Sequence, residues 1–254
     1  MRDVLVLGYH AVSESWGASL AVAPATLREQ LAWLLSRDYQ LVTFHEAVHA
    51  PPAAKVVAVT FDDGYRSVVD QAFPILAELG AVASVFVPTA HVGRPEPMCW
   101  PGISQWAAGD DADELLCMNW DDAARLTRAG WEIGSHTCSH PRLTTLTDEA
   151  LHRELVESRG TCEDRLGVAC RSLAFPYGDH DERVIAAAGR AGYDTAGTLP
   201  SRLHRPQPMR WPRVGVNRGD TMRRFRAKAS PMLRRVRASW AWEPLVRVTG
   251  VRQP

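Results

Sequence analysis

The 254-residue sequence has no long hydrophobic run, no even set of cysteines and no formal net charge. No stretch approaches the roughly 18 consecutive apolar residues that a membrane-spanning helix requires. The five cysteines are irregularly spaced and none forms Cys-x-x-Cys; they are Cys99, Cys117, Cys138, Cys162 and Cys170. Such cysteines predict reduced thiols, and the cytoplasm is therefore the default compartment.

The N-terminal segment also lacks the features of a secretion signal. Residues 1–10 carry an early Asp3, a short apolar run and no cleavage site of small residues. The sequence gives no indication of a nucleic-acid partner, and it leaves the oligomeric state open. We expect a cytoplasmic protein, with peripheral membrane association as an open alternative.

Although the total charge is zero, its distribution is uneven. Residues 1–201 hold 15 basic and 27 acidic residues, whereas residues 202–254 hold 14 basic and two acidic ones. Residues 222–237 contain seven cations and no acidic residue, with Phe225, Met232, Leu233 and Val236 interleaved. This stretch either pairs with the acidic body or contacts an anionic membrane.

Apolar, β-branched runs alternate with helical patterns along the chain. Strands are predicted at residues 4–9, 56–61, 82–87, 132–134, 172–175 and 193–196, and helices at residues 24–37, 67–79, 120–129, 147–166 and 182–191. Repeated strand–helix units indicate a parallel sheet in an α/β protein, and one α/β barrel commonly reaches this length. Residues 91–118 interrupt the pattern, as either a lid over the site or a surface loop.

Polar motifs follow two of the predicted strands. Asp62 and Asp63 lie in Thr-Phe-Asp-Asp-Gly-Tyr, and His136 and His140 lie in Ser-His-Thr-Cys-Ser-His. Two imidazoles and one carboxylate match a catalytic metal site that keeps a position open for water. If the backbone turns helically after His136, the two imidazoles share one face. The motifs predict a metal-dependent hydrolase in which the second carboxylate is the base.

These two motifs resemble the first two motifs of the polysaccharide deacetylase superfamily, also called the NodB homology domain or carbohydrate esterase family 4. Residues 174–178, Ala-Phe-Pro-Tyr-Gly, are similar to its third motif. The resemblance covers residues 1–220 and leaves residues 221–254 as a basic C-terminal helical extension. It implies a distorted (β/α) barrel, seven-stranded and NodB-like, with the site at the C-terminal ends of the strands.

The resemblance also implies roles for individual residues. Asp62 would be the general base, and Asp63, His136 and His140 would bind a divalent metal. The donor set suits zinc, with cobalt, nickel or manganese as alternatives. Tyr177 would donate its backbone N–H to the oxyanion.

The sequence departs from the family pattern at two positions, so other residues would have to take over the roles of the missing arginine and histidine. The third motif usually begins with an arginine that orients the catalytic aspartate, but Ala174 stands there; Arg213 is the candidate to reach that carboxylate from a later strand. No Leu-x-His follows Arg213 to supply the general acid. His10, which ends the first apolar strand, is the better candidate than His204, as in the poly-N-acetylglucosamine deacetylase-like branch.

The function expected from these residues is removal of the N-acetyl group from an N-acetylated amino sugar in a glycan or glycan precursor. The partner is then an N-acetylated saccharide, whose identity the sequence leaves open. Two alternatives remain: an amidase that acts on a non-sugar C–N bond, and a carbohydrate-binding pseudoenzyme.

Overall fold

A computed structural model describes residues 3–51, 53–200 and 204–237. The end of the predicted C-terminal extension, residues 238–254, lies outside the described residues. Among the helices of the described part, none is both long enough and apolar enough to cross a bilayer.

The strands, in chain order, are β1 (Asp3–Tyr9), β2 (Ala11–Val12), β3 (Ala21–Val22), β4 (Gln40–Val42), β5 (Lys55–Phe61), β6 (Ser84–Val87), β7 (Glu132–Ser135), β8 (Ser172–Ala174), β9 (Thr195–Thr198), β10 (Trp211–Pro212) and β11 (Val214–Gly215). The α-helices are α1 (Pro24–Leu35), α2 (Phe44–Val48), α3 (Phe73–Glu78), α4 (Trp120–Arg128), α5 (Asp148–Leu166), α6 (Glu182–Arg190), α7 (Met222–Ala229) and α8 (Pro231–Arg237). A π-helical stretch, Val68–Ala72, runs into α3.

The main sheet is parallel and closes on itself at one interrupted strand. Its strands pair in the order β10-β9-β8-β7-β6-β5-β1-β11, and β4 pairs with β5 outside that path. Only Arg213 separates β10, which pairs with β9, from β11, which pairs with β1. If β10 and β11 are taken as one strand broken at Arg213, the described residues form a ring of seven strands. The predicted distorted barrel is confirmed.

Alternating residues of the strands face two different apolar layers. Leu5, Leu7 and Tyr9 of β1 join a large cluster that includes the buried leucines of α1, so this face of the strand packs against helices. Val6 joins a smaller cluster with Ala58, Phe86, Ala174 and Trp211, which fills the barrel interior. Because both faces are covered, the strands are nearly continuous apolar runs, as parallel sheets require.

Local signals correctly predicted the long helix α5. The Thr147 hydroxyl accepts a hydrogen bond from the Ala150 N–H at 3.3 Å, which caps the helix start. Gly167 ends the helix in the left-handed conformation, with φ of 68°. The predictions missed α2 and the short strands β2, β3, β4, β10 and β11, which have too few residues to show a periodic pattern.

The first C-terminal helix packs onto the body of the protein. Phe225 of α7 is fully buried, and its ring lies 6.0 Å from that of Trp33 on α1. Phe225, one of the apolar residues interleaved in residues 222–237, is therefore part of the core. Met232 and Leu233 of α8 do remain exposed, at 72% and 39%.

Candidate metal centre

The predicted site residues follow the C-terminal ends of different barrel strands. His10 follows β1, Asp62 and Asp63 follow β5, His136 follows β7, and Tyr177 lies in a turn after β8. Because parallel strands end at the same edge of a barrel, these residues share its C-terminal face. Chain segments up to 167 residues apart thus contribute to one site.

Asp63, His136 and His140 form a buried set of three side chains of types that bind metal ions, called the metal-binding set below. Their donor atoms lie within 4.8 Å of one another. Asp63 Oδ1 is 3.3 Å from the Nε2 atoms of both histidines, yet within the described residues this buried oxygen makes no hydrogen bond. Three donors that converge without satisfying one another fit a metal ion, which would satisfy all of them at once.

The electrostatics of the set also favour a bound cation. Burial opposes ionisation of Asp63, but His136, His140 and His10 together hold its pKa well below the usual range. Burial lowers the pKa of His140 to about 3, against the opposing effect of Asp63. His140 is therefore neutral at neutral pH, and its lone pair is available for a metal.

His136 has a second contact that fixes the orientation of its ring. Its Nδ1 lies 2.8 Å from the carbonyl oxygen of Ala174, which makes Nδ1 the protonated nitrogen and turns Nε2 toward Asp63. Burial lowers the pKa of His136, but the carboxylates of Asp63 and Asp62 outweigh it and raise that pKa. The field at this imidazole thus stabilises positive charge.

The two histidines do not share a helix face. Residues 136–140 form a loop in which Thr137 and His140 have φ of 68° and 60°. The helical turn that would place both imidazoles on one face is therefore absent from this loop. Glu154 of α5 orders the loop instead, because its carboxylate accepts hydrogen bonds from the N–H groups of Cys138 and Ser139 at 2.8 and 3.0 Å.

Backbone strain is concentrated at this site. In the described residues, five non-glycine positions have positive φ, and four of them are Asp63, Thr137, His140 and Tyr177. Each such residue costs about 1–3 kcal/mol, so the surrounding packing must hold these positions in place. The packing is also tight next to Asp63. Gly64 has φ of +62°, and a Cβ at this position would lie 3.0 Å from Val87 Cγ1.

Asp62 is held by Arg213. Two guanidinium nitrogens donate to the two Asp62 oxygens at 2.6 and 2.8 Å, and one of them also donates to Thr60 Oγ1 at 3.0 Å. Burial opposes the charge on Asp62, but Arg213 lowers its pKa, with help from His136 and His10. Asp62 is thus an ionised, oriented carboxylate. The contact predicted for Arg213 is present, and its role in the reaction stays a prediction.

His10 has a free ring nitrogen at the same face. Its Nδ1 is buried and, within the described part of the chain, has no hydrogen-bond partner. The charge of His10 contributes to lowering the pKa of both aspartates, which places the imidazole within electrostatic reach of them.

His204 belongs to the other end of the barrel. It lines a cavity of about 420 Å³ together with Asp3 and Val4, which begin β1. A strand of seven residues spans roughly 20 Å, so His204 is far from the groups that follow the end of β1. Its position argues against a role as the general acid.

Tyr177 borders the metal-binding set. It adopts φ of 58° within the turn Pro176–Gly178, and its ring lies 4.6 Å from that of His140. The guanidinium of Arg142 covers the tyrosine ring at 4.5 Å. The left-handed backbone at Tyr177 is what changes the direction of the chain beside the site.

Residues 91–118 pack closely against the site. The backbones of Cys117 and Tyr65 pair in an isolated antiparallel β-bridge, and the Met118 N–H donates to the Gly64 carbonyl at 2.9 Å. Trp100 stacks on His140. The sequence did not indicate Trp100 or Glu154, since both contacts join segments that are distant along the chain.

Comparison with known proteins shows the family to which this chain belongs. The sequence model described as polysaccharide deacetylase matches residues 49–196, and the chain belongs to this family. It is 26% identical over 210 residues to YxkH of Bacillus subtilis, whose name also assigns it to the polysaccharide deacetylases; the match covers 80% of this chain and 67% of YxkH.

A second relative carries a more specific name. The chain is 25% identical over 244 residues to the poly-β-1,6-N-acetyl-D-glucosamine N-deacetylase of Escherichia coli K12. This match covers 81% of the chain but 35% of the E. coli protein, so the chain spans about a third of that relative.

Solved structures show the same fold at low identity. The deacetylase PplD of Streptococcus pyogenes superposes with a TM-score of 0.75 at 20% identity, over 90% of this chain and 98% of PplD. IcaB of Ammonifex degensii gives 0.73 at 23% identity, over 89% of this chain and 97% of IcaB.

The metal-binding set makes a direct prediction. We expect His136→Ala to reduce bound divalent metal strongly, because it removes one of three ligands and leaves Asp63 less compensated. Elemental analysis of the purified protein and the variant measures this. His204→Ala, at the opposite end of the barrel, is the matched control and should keep the metal content of the wild type. Equal metal content in all three proteins would contradict the assignment.

Proposed function

We propose that this protein is a metal-dependent N-deacetylase that hydrolyses the acetamide of an N-acetylated amino sugar in a glycan. The observation that carries the proposal is the pairing of a buried three-ligand set with a second, separately oriented carboxylate. Asp63, His136 and His140 converge, while Asp62 is turned to Arg213. A metal ligand set beside an independent base is the arrangement that amide hydrolysis needs.

Asp63, His136 and His140 would hold the metal. A bound divalent ion supplies Lewis acidity, which lowers the pKa of water and polarises a carbonyl. The mixed nitrogen and oxygen donor set suits zinc, and we propose zinc as the ion. Cobalt, nickel and manganese are the alternatives, and metal-free protein reloaded with each ion distinguishes them by turnover.

Asp62 is the proposed general base. It is ionised and oriented, and each of its oxygens retains a second lone pair beyond the hydrogen bond from Arg213. In this role it takes a proton from the attacking water. Arg213 does not need to touch the substrate; it keeps the carboxylate charged and fixes its plane.

The remaining groups complete the hydrolysis. The backbone N–H of Tyr177 donates to the oxyanion that develops as the carbonyl carbon is attacked. His10 donates a proton to the nitrogen as the C–N bond breaks. Water and the acetamide thus give acetate and a free amine.

The names of the relatives suggest the first substrates to test. The E. coli and Staphylococcus aureus relatives are poly-β-1,6-N-acetyl-D-glucosamine N-deacetylases, and a shorter match is a chitin deacetylase of Cryptococcus neoformans. We propose a saccharide that contains N-acetylglucosamine. Acetate release from β-1,6 and β-1,4 oligomers, sugar nucleotides, lipid-linked sugars and simple non-sugar amides tests the proposal. Release only from the non-sugar amides would favour the amidase alternative.

The base has its own test. We expect Asp62→Asn to retain metal and to lose about 10²–10⁴-fold in turnover, because the amide cannot accept the proton. Circular dichroism checks that the fold survives, since removal of one partner leaves the buried Arg213 charge without its counterion. Near-native turnover in a folded, metal-loaded variant would remove Asp62 from the mechanism.

Comparison of variants at two histidines, which lie at opposite ends of the barrel, tests the identity of the general acid. His10→Ala should slow the chemical step, because no group then protonates the leaving amine, whereas His204→Ala should leave turnover close to that of the wild type. Single-turnover kinetics separate the chemical step from product release. A slow His204 variant with a normal His10 variant would reverse the assignment.

Helix α8 is the proposed contact with an anionic lipid surface. Some of the basic stretch is already engaged, since Lys228 pairs with Asp220 at 2.6 Å and Arg234 contacts Asp3 and the Val4 carbonyl. The exposed side chains of Met232 and Leu233 support contact with a membrane, flanked by cations. Because Arg234 reaches the start of β1, α8 lies opposite the site. Membrane contact through α8 would thus turn the site away from the lipid. This orientation argues against a substrate in which a short sugar is attached to a membrane lipid.

Vesicle co-sedimentation tests this contact. We expect binding to anionic vesicles that weakens with salt, by about 1 kcal/mol for each cation near the surface. Met232→Glu with Leu233→Glu should abolish it, while Val168→Glu, at another exposed apolar residue, should not. Equal sedimentation of both variants would contradict the role of α8. The cytoplasm stays the proposed compartment; all five cysteines are free thiols.

A further inference from the structure

The two histidines of the metal-binding set differ in how their rings are held. A metal-binding histidine usually donates its other ring N–H to a fixed acceptor, which orients the imidazole. His136 does so, through Nδ1 and the Ala174 carbonyl at 2.8 Å. The Nδ1 of His140 is buried and has no hydrogen-bond partner among the described residues. Another contact must orient His140.

Two aromatic rings provide that contact. The ring of Trp100 stacks on His140, with centroids 4.2 Å apart and planes 23° from parallel. The ring of Tyr177 meets His140 at 4.6 Å and 63°. Rotation of the imidazole about its side-chain bonds would break the stacking with Trp100. Aromatic packing therefore takes the place that a hydrogen bond takes at His136.

Trp100 is itself fixed by its surroundings. It is 7% exposed, and its carbonyl accepts hydrogen bonds from the N–H groups of Ile103 and Ser104 at 3.1 and 3.0 Å. The ring of His91 packs against it at 5.3 Å and 75°. A residue held in this way can transmit a fixed orientation to its neighbour.

The segment that carries Trp100 is anchored to both loops that supply the metal ligands. Near its start, the Ala90 N–H donates to the Cys138 carbonyl of the histidine loop at 2.9 Å. At its end, the Met118 N–H donates to the Gly64 carbonyl, next to Asp63, at 2.9 Å. Residues 91–118, together with Ala90 just before them, thus connect the two loops at fixed positions, and Trp100 lies between these two anchors.

We propose that Trp100 is a positioning residue, which orients His140 for metal binding through the face of its indole. The proposal rests on the metal site of the proposed function. It assigns to residues 91–118 a part in building the metal centre, beyond covering it. It also gives the two histidines different means of orientation: a backbone carbonyl holds His136, and an aromatic face holds His140.

Four variants test the proposal in the full-length protein. Trp100→Ala removes the stack, Trp100→Leu keeps apolar volume without an aromatic face, and Trp100→Phe restores a smaller ring. Trp106→Ala is the matched control, because Trp106 lies on the same segment but packs against Trp16 at 5.4 Å and 85°. Zinc dissociation constants come from competition with a chromophoric chelator, and melting temperatures are recorded with and without zinc.

We expect zinc to bind about 10–100-fold more weakly to Trp100→Ala and Trp100→Leu, as when the group that orients a metal ligand is lost. Trp100→Phe should recover most of the affinity, and Trp106→Ala should keep that of the wild type. The rise in melting temperature on adding zinc should shrink in the Ala and Leu variants. This readout separates positioning from general packing, since lost packing lowers the melting temperature equally with and without metal.

Equal zinc dissociation constants for the wild type and Trp100→Leu would overturn the proposal. So would a loss of affinity in Trp106→Ala as large as in Trp100→Ala, because the effect would then come from the segment as a whole. If Trp100→Ala does not fold, the comparison of Leu with Phe decides the matter. A wild-type protein that binds no divalent metal would instead overturn the proposed function, which distinguishes the two failures.

Discussion

The contact between Arg213 and Asp62 joins the closure of the barrel to the chemistry of the site. Arg213 lies at the single break between β10 and β11, where the sheet closes, and both of its terminal nitrogens donate to Asp62 at the end of β5. Both side chains are almost completely buried. Removing one partner of such a pair costs about 3–5 kcal/mol, because the other charge is left uncompensated. One ion pair thus links the closing strand to the orientation of the proposed base.

The barrel interior is shaped to admit that arginine. A Cβ on Gly197 of β9 would lie 2.8 Å from Arg213 Nε, so a larger residue there would displace the arginine side chain. The guanidinium also lies over the ring of Phe86, at 5.4 Å. These contacts, together with the hydrogen bond to Thr60, hold the guanidinium against Asp62 from the closing strand. Ala174 has a different role, since its carbonyl orients His136.

The two ends of the barrel have different chemical character. The C-terminal face gathers buried aspartates and histidines on strained loops, with four left-handed non-glycine residues. The N-terminal end holds the basic helix α8, Arg205, His204 and a cavity of about 420 Å³. The acidic body and basic C-terminal segment of the sequence therefore meet, in part, as ion pairs such as that between Arg234 and Asp3. This separation argues against His204 as the general acid, although His204 is closer in sequence to Arg213 than His10 is.

Sequence patterns alone predict the parallel α/β class, the main strands and helices, and the three side chains of the metal-binding set. Each of these has a local signal: apolar runs for β1 and β5, a cap and a glycine for α5, and motifs of five or six residues for Asp63, His136 and His140. The way in which the barrel closes is visible only in the fold, because β10 and β11 have two residues each and no periodicity. Only the fold, likewise, showed that Trp100 stacks on His140, that Glu154 orders the histidine loop, and that His10 lies at the site while His204 does not. In each case the contacts join residues far apart in the chain, and their energy comes from burial and geometry that no short segment contains.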